Sequence, residues 1–96
     1  MKIDFRKIEV KDLAGNVDKI DVSKVFGNVV FNNTPDIAEY ELSIRIYHDG
    51  EVDISEDMAK SLVKYAEAFD RVIIRESVKS ALLNIKDTEN EDNSRQ

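Results

Sequence analysis

The first 21 residues alternate between apolar and polar positions. Ile3 and Phe5 alternate with charged residues, and Ile8 and Val10 continue the alternation after a slip in phase. This pattern predicts a half-buried strand with a bulge or twist at the slip. Residues 12–16 supply turn chemistry, and residues 17–21 are typical of a return strand. The segment therefore predicts an antiparallel β-hairpin over residues 1–21.

The next apolar positions recur with helical spacing. They fall at i, i+3, i+4, i+7 and i+8, and they are Val22, Val25, Phe26, Val29 and Val30. That spacing predicts a short amphipathic helix, although Gly27 and the β-branched residues lower its intrinsic propensity. Asp21 or Ser23 is the expected N-cap.

The segment from residue 34 to residue 54 fits two structures. Thr34 as N-cap and Pro35 at the first helical position predict a helix, with the stripe Ile37, Tyr40, Ile44 and Tyr47. A strand is also compatible, because apolar residues alternate at positions 40, 42, 44 and 46, with a hairpin to residues 51–54. The helix is the interpretation we favour, and the strand stays open.

Residues 55–86 predict one or two further helices. Ser55, or Asp53 with Glu56 in a capping box, marks the start, and apolar stripes follow at residues 58–69 and 74–85. The predicted fold class is α+β: an N-terminal antiparallel β-hairpin, with residues 52–54 as a candidate third strand, packed against three or four α-helices. The predicted core comprises Ile3, Phe5, Ile8, Val25, Phe26, Val29, Ile44, Tyr47, Leu62, Tyr65, Phe69, Ile74, Val78 and Leu82.

A chain of 96 residues is long enough for one small domain. We expect a single α+β domain over residues 1–86. The last ten residues, DTENEDNSRQ, have no large apolar side chain, and such a composition predicts a disordered acidic tail over residues 87–96.

The net charge of −6 is unevenly distributed. Residues 36–57 carry eight acids against Arg45 alone, whereas residues 58–86 carry six bases against three acids. Segregation of this kind can steer a charged partner or attract another copy of the chain. The candidate acidic surface consists of Asp49, Glu51, Asp53, Glu56 and Asp57. The candidate partner-binding ridge, basic and helical, consists of Lys60, Lys64, Arg71, Arg75 and Lys79.

The residues that usually carry chemistry are sparse. The chain has no cysteine, one histidine (His48) and three glycines, which leaves no thiol nucleophile, histidine cluster or glycine-rich phosphate loop. An alignment of the acidic run with a calcium loop from Asp49 fails, because Ile54 and Lys60 occupy the positions that require glycine and glutamate. We therefore expect no catalytic, cofactor-binding or metal-binding residues, and no cofactor.

Three short segments resemble a group of small uncharacterised proteins of tailed phages and prophages. They are MKIDF at residues 1–5, the turn at residues 12–16, and IRIY at residues 44–47 with GEVDISED at residues 50–57. Arg45 replaces the usual lysine of that pattern, and Ser43 replaces an alanine. The resemblance implies a short strand, a turn, a small helix and a capped final helical region. It implies no activity, and its context is a mobile element in a bacterial cytoplasm.

These observations favour a non-enzymatic phage or prophage accessory or assembly protein that acts through protein–protein contacts, with an unidentified protein partner and with self-association. The alternative is a small regulator that contacts nucleic acid through the basic ridge, although overall acidity argues against it. No apolar run is long enough for a membrane span, and the N-terminus lacks the pattern of a signal peptide. We therefore expect a cytoplasmic protein with no membrane partner.

Overall fold

The computed structural model describes the backbone of residues 2–94 and the side chains of residues 2–83. Within these residues lie four strands, four α-helices and one 3₁₀ segment. In chain order they are β1 (Lys2–Asp4), β2 (Ile8–Lys11), β3 (Val17–Ile20), α1 (Ser23–Asn33), α2 (Ile37–Asp49), β4 (Glu51–Asp53), α3 (Glu56–Leu62), the 3₁₀ segment (Val63–Ala68) and α4 (Val72–Ser94). The predicted α+β class is confirmed.

The predicted hairpin is formed by β2 and β3 alone. These strands pair antiparallel, with Ile8 opposite Ile20. In the connecting turn, the Asp12 carboxylate accepts hydrogen bonds from the Ala14 and Asn16 amides, and Gly15 takes a φ of 92°. The predicted third strand exists as β4, but it pairs with β1 rather than with the hairpin.

The prediction of one continuous first strand is wrong, because Asp4 starts a turn. Its carboxylate accepts hydrogen bonds from the amide and the guanidinium of Arg6, and its carbonyl accepts one from the Lys7 amide. The buried Phe5 then links three parts of the chain: its amide donates to the Gly50 carbonyl, and its carbonyl accepts from the Val22 amide, both at 2.8 Å. The slip in the alternation is therefore the turn that separates β1 from β2.

Residues 37–49 form a helix, which decides between the two interpretations of this segment. The predicted N-cap, Thr34, is wrong. Asp36 caps α2 by accepting hydrogen bonds from the Ala38 and Glu39 amides, while the Thr34 hydroxyl donates to the Glu39 carboxylate at 2.6 Å. The side chain of Asp36 is therefore the one placed at the free amides.

Residues 56–94 form two α-helices rather than one. Ser55 caps α3, as predicted, by accepting from the Met58 amide. The chain then tightens into the 3₁₀ segment, and Phe69 has extended backbone angles before α4 begins at Val72. The side chain of Phe69 is buried and stacks on Phe26.

The core lies between α1, α2 and α4 and the inner side of the strands. Phe26 is central to it, stacked on Phe5 at 5.1 Å and on Phe69 at 6.1 Å between ring centroids. Two predicted core residues are exposed, since Val25 keeps 54% and Ile44 39% of its surface open. Others are half-buried: Val29, Tyr47 and Ile74. The buried positions of α2 are instead Glu39, Leu42, Ser43 and Ile46.

The predicted disordered tail, residues 87–96, lies outside the described side chains. That prediction and the domain boundary at residue 86 both stay predictions.

Candidate functional site

The predicted acidic surface follows the chain around β4. Asp49 ends α2, Glu51 and Asp53 lie on the strand on either side of the buried Val52, and Glu56 and Asp57 occupy the first turn of α3. All five side chains are exposed. Bases adjoin them, because Lys2 is opposite Asp53 in the strand register, and the guanidinium of Arg6 interacts electrostatically with Glu51. The acidic surface is therefore partly neutralised by the N-terminal segment.

The predicted basic ridge is divided among four segments. Lys60 lies on α3, Lys64 on the 3₁₀ segment, Arg71 in the following bend, and Arg75 and Lys79 on α4. The continuous helix on which the ridge was predicted is thus absent. The ridge is interrupted where the chain turns at Phe69.

Two members of the ridge are bound within the chain. The Arg75 guanidinium donates to the Phe69 carbonyl at 3.1 and 3.3 Å, and the Lys79 ammonium forms an ion pair with Glu67. This ion pair raises the pKa of Lys79 and lowers the pKa of Glu67. Both bases therefore help to hold the 3₁₀ segment against α4.

A different surface stands out on the outer side of the two helices α1 and α2. The helices approach closely at Gly27. A Cβ atom added there would lie only 3.0 Å from the Ser43 carbonyl oxygen and 3.0 Å from the Tyr47 Cβ. The small residues Gly27 and Ser43 at the contact allow this approach. Phe31 and Tyr40 stack there at 4.7 Å between ring centroids.

The outer side of α2 carries an apolar stripe at helical spacing. Ile37, Tyr40 and Ile44 keep 69%, 37% and 39% of their surfaces exposed, and the half-buried Tyr47 continues the row. We call the surface formed by Phe31, Ile37, Tyr40, Ile44 and Tyr47 the α1–α2 face. A groove runs along it, lined by Gly27, Asn28, Phe31, Ser43, Ile44, Tyr47 and His48.

The charged residues beside the α1–α2 face differ in sign between its two ends. Asp36 caps the start of α2, Glu41 lies in the first half of the helix, and Arg45 lies in the second half. Lys24 of α1 also lies at the second end, with its ammonium 4.5 Å from the centre of the Tyr47 ring and 3.4 Å from the Tyr47 carbonyl oxygen. The face is therefore acidic at one end and basic at the other.

The inner side of α2 carries a buried carboxylate that sequence reasoning missed. Glu39 is 5% exposed and accepts hydrogen bonds from the Thr34 hydroxyl at 2.6 Å and the Tyr65 hydroxyl at 2.7 Å. Burial acts to raise the pKa of Glu39, but these hydrogen bonds outweigh it, and the pKa is below its ordinary value. Glu39 thereby ties the start of α2 to the 3₁₀ segment.

The sequence contains a signal for the exposed apolar stripe of α2 and for the buried Glu39. Leu42 and Ile46 form one apolar row on a helix, and residues 37, 40, 44 and 47 form another. Glu39 falls beside the Leu42 row, at i−3. In α2 the core covers the row of Leu42 and Ile46 and leaves most of the other row exposed.

Among the side chains of residues 2–83, no group of three or more His, Asp or Glu residues is arranged to hold a metal ion. No helix in the described part of the chain is long and apolar enough to cross a membrane.

The fold thus defines a small α+β protein whose most distinctive surface is an apolar helical face. Comparisons with protein-family models, with curated proteins and with solved structures each found no match.

Proposed function

We propose that this chain is a non-enzymatic accessory or assembly protein of a phage or prophage, and that it acts through protein–protein contacts made by the α1–α2 face. The observation that carries the proposal is the contiguous exposed apolar surface on two closely packed helices. Exposed apolar patches of this kind mark interaction sites in soluble proteins.

The composition of the face supports a protein partner. Three of its five residues are aromatic, and aromatic side chains are enriched at the centres of protein interfaces. The charged residues stand toward the two ends of the face, with the Lys24 ammonium over the Tyr47 ring at one of them. The middle of the face is apolar, as in an interface with an apolar centre and a polar rim. The face is also preorganised, because α1 and α2 are held together from below by Phe26, Val30 and Ile46, all 0% exposed. Little ordering is then needed when a partner binds.

The non-enzymatic part of the proposal is supported by what lines the groove. His48 is its one ionisable side chain apart from the phenol of Tyr47, and no carboxylate or amine lies among the lining residues to act with it as an acid–base pair. The phage context is supported by the segments that resemble phage proteins. One of them, residues 44–47, contributes Ile44 and Tyr47 to the α1–α2 face, whereas its Ile46 is buried in the core. In such a context we expect the protein to act in the bacterial cytoplasm.

The geometry favours the alternative, a regulator that contacts nucleic acid, less strongly. Arg75 and Lys79 would have to leave Glu67 and the Phe69 carbonyl before they could contact phosphates. A titration of labelled duplex DNA at low salt tests it. We expect no binding, and binding that weakens as salt rises would replace our proposal with the alternative.

Capture with matched variants tests the proposed function. Ile44→Glu places a charge at the centre of the face, whereas Leu13→Glu makes the same change at a fully exposed position of the hairpin turn. Each chain is immobilised and exposed to lysate from phage-infected bacteria and to free copies of the wild-type chain. We expect proteins that are retained by the wild type and by Leu13→Glu but lost with Ile44→Glu. Equal retention by all three chains would contradict the proposal.

A further inference from the structure

We propose that the occupant of the α1–α2 face is the same face of a second copy of this chain, with the two α2 helices packed antiparallel. This inference rests on the proposed function, and it identifies the partner. Three properties of the face point to a reversed copy of itself: the spacing of its apolar stripe, the placement of its charges, and the direction of its helices.

The apolar stripe of α2 has the same spacing in both directions. Ile37, Tyr40, Ile44 and Tyr47 are separated by three, four and three residues, so that the row is symmetric about position 42. When a second α2 is reversed against the first, Ile37 lies opposite Tyr47 and Tyr40 lies opposite Ile44. Each of the four layers then pairs an aliphatic side chain with an aromatic one. Alternating spacings of three and four are those by which helices interdigitate along their lengths.

The charges beside the stripe favour the reversed orientation. Asp36 and Glu41 precede position 42, and Arg45 follows it, with Lys24 beside Tyr47 at the same end. A reversed copy places the basic half of one face over the acidic half of the other, whereas a parallel copy would place acid over acid. Asp49, at the end of α2, is exposed as well and lies four residues after Arg45 on the same side of the helix. With Lys24 and Arg45 against Asp49, this end of the face keeps a net positive charge.

The border charges are available for such pairing. Within the described side chains, neither Glu41 nor Arg45 forms an ion pair, and both are exposed. Antiparallel helices also set the negative end of one helix dipole beside the positive end of the other. The face is formed by one helix and part of a second, which places the contact at the small end of specific interfaces. We therefore expect an association that dilution reverses.

Sedimentation equilibrium tests the dimer. Over a concentration series from low micromolar to several hundred micromolar, the wild-type mass is expected to rise from that of one 11.0 kDa chain toward twice that value. Leu13→Glu is expected to follow the same curve. Ile44→Glu is expected to stay at the mass of one chain, with an unchanged circular dichroism spectrum.

Disulfide trapping tests the orientation, and the absence of native cysteine keeps it free of background. Ile37→Cys and Tyr47→Cys chains are oxidised separately and as an equal mixture, and the products are identified by mass. In the antiparallel dimer each position lies opposite the other, so that the mixed disulfide is expected to dominate. Identical positions lie ten residues apart along the helix axis, about 15 Å, which is too far for a disulfide. Each variant alone is therefore expected to remain largely reduced.

The outcomes separate this inference from the proposed function. If the wild type remains one chain at every concentration but still captures another protein in an Ile44-dependent way, the second-copy inference is overturned and the proposed function stands. If it remains one chain and captures nothing in that way, both fail. Like-with-like disulfides from each variant alone would overturn the antiparallel arrangement.

Discussion

The α1–α2 face and the basic ridge both lie on the surface, but they differ in how far their side chains are already bound within the chain. In the ridge, Lys79 is paired with Glu67 and Arg75 is bound to the Phe69 carbonyl. In the α1–α2 face, Ile37 and Ile44 remain open to solvent. An exposed ion pair contributes about 0–1 kcal/mol, whereas burial of apolar surface contributes about 25 cal/mol per Å². The apolar face therefore has more to gain from a partner than the charged ridge, although the charge pattern is the more conspicuous in the sequence.

The largest expected effect distinguishes the core beneath the α1–α2 face from the face itself. Phe26→Ala is expected to lower the free energy of unfolding by about 3–5 kcal/mol, because it leaves a cavity between Phe5 and Phe69. Phe31→Ala, the same change on the same helix, should cost about 1 kcal/mol, since Phe31 is 39% exposed and stacks only on Tyr40 among the described rings. Urea denaturation followed by circular dichroism at low micromolar concentration measures both. Equal losses would contradict the assignment of Phe26 to the core.

An intermediate effect is expected at the buried carboxylate on the inner side of α2. Glu39→Gln should lower the free energy of unfolding at pH 7 by about 1–2 kcal/mol, because the hydrogen bonds from Thr34 and Tyr65 lose a charged acceptor. The pKa of Glu39 in the folded chain is below its ordinary value of 4.5. The unfolded chain therefore takes up this proton first as the pH falls. The stabilisation is present above about pH 4.5 and is lost as the pH falls through the folded pKa.

Unfolding of wild type and Glu39→Gln is measured from pH 7 to pH 3, and the difference between the two chains is expected to shrink toward the acid end. Glu41→Gln, the same change two residues further at an exposed position, is the control and should alter stability by less than about 0.5 kcal/mol. A difference between wild type and Glu39→Gln that stayed constant with pH would show that the charge of Glu39 contributes nothing.

The smallest effect is expected in the basic ridge. Lys79→Gln removes the ion pair with Glu67, and we expect a small loss of stability that added salt reduces further. Thermal unfolding at low and high salt measures it, with the exposed Lys60→Gln as the matched variant. A loss as large as that of Glu39→Gln, and unchanged by salt, would mean that the ridge is a major structural element.

The α+β class and the helix over residues 37–49 were predictable because local patterns determine them. The stripe of residues 37, 40, 44 and 47 correctly indicates a helix. The prediction that two of its residues, Ile44 and Tyr47, belong to the core is wrong for Ile44, which is exposed, while Tyr47 is half-buried. The spacing of apolar residues identifies the faces of a helix, but it does not say which face the rest of the protein covers. In α2 the row of Leu42 and Ile46 is the one packed into the core.

Other features arise from contacts between distant parts of the chain. The break between α3 and α4 has neither glycine nor proline, and it forms where the buried Phe69 stacks on Phe26, 43 residues earlier. The pairing of β1 with β4 likewise joins residues about 50 positions apart. The turn at Asp4 is the exception, because an aspartate that accepts from the amide two residues later is a local device, and the slip in alternation marked it.

The central claim is that the α1–α2 face binds the same face of a second copy, and a dilution series of amide chemical shifts tests it most directly. Uniformly ¹⁵N-labelled wild-type chain is recorded from several hundred micromolar down to low micromolar. We expect concentration-dependent shifts at Phe31, Tyr40, Ile44 and Tyr47, with none in the β2–β3 hairpin and none in Ile44→Glu. Shifts that were absent throughout, or that fell on the acidic surface or the basic ridge instead, would contradict the account.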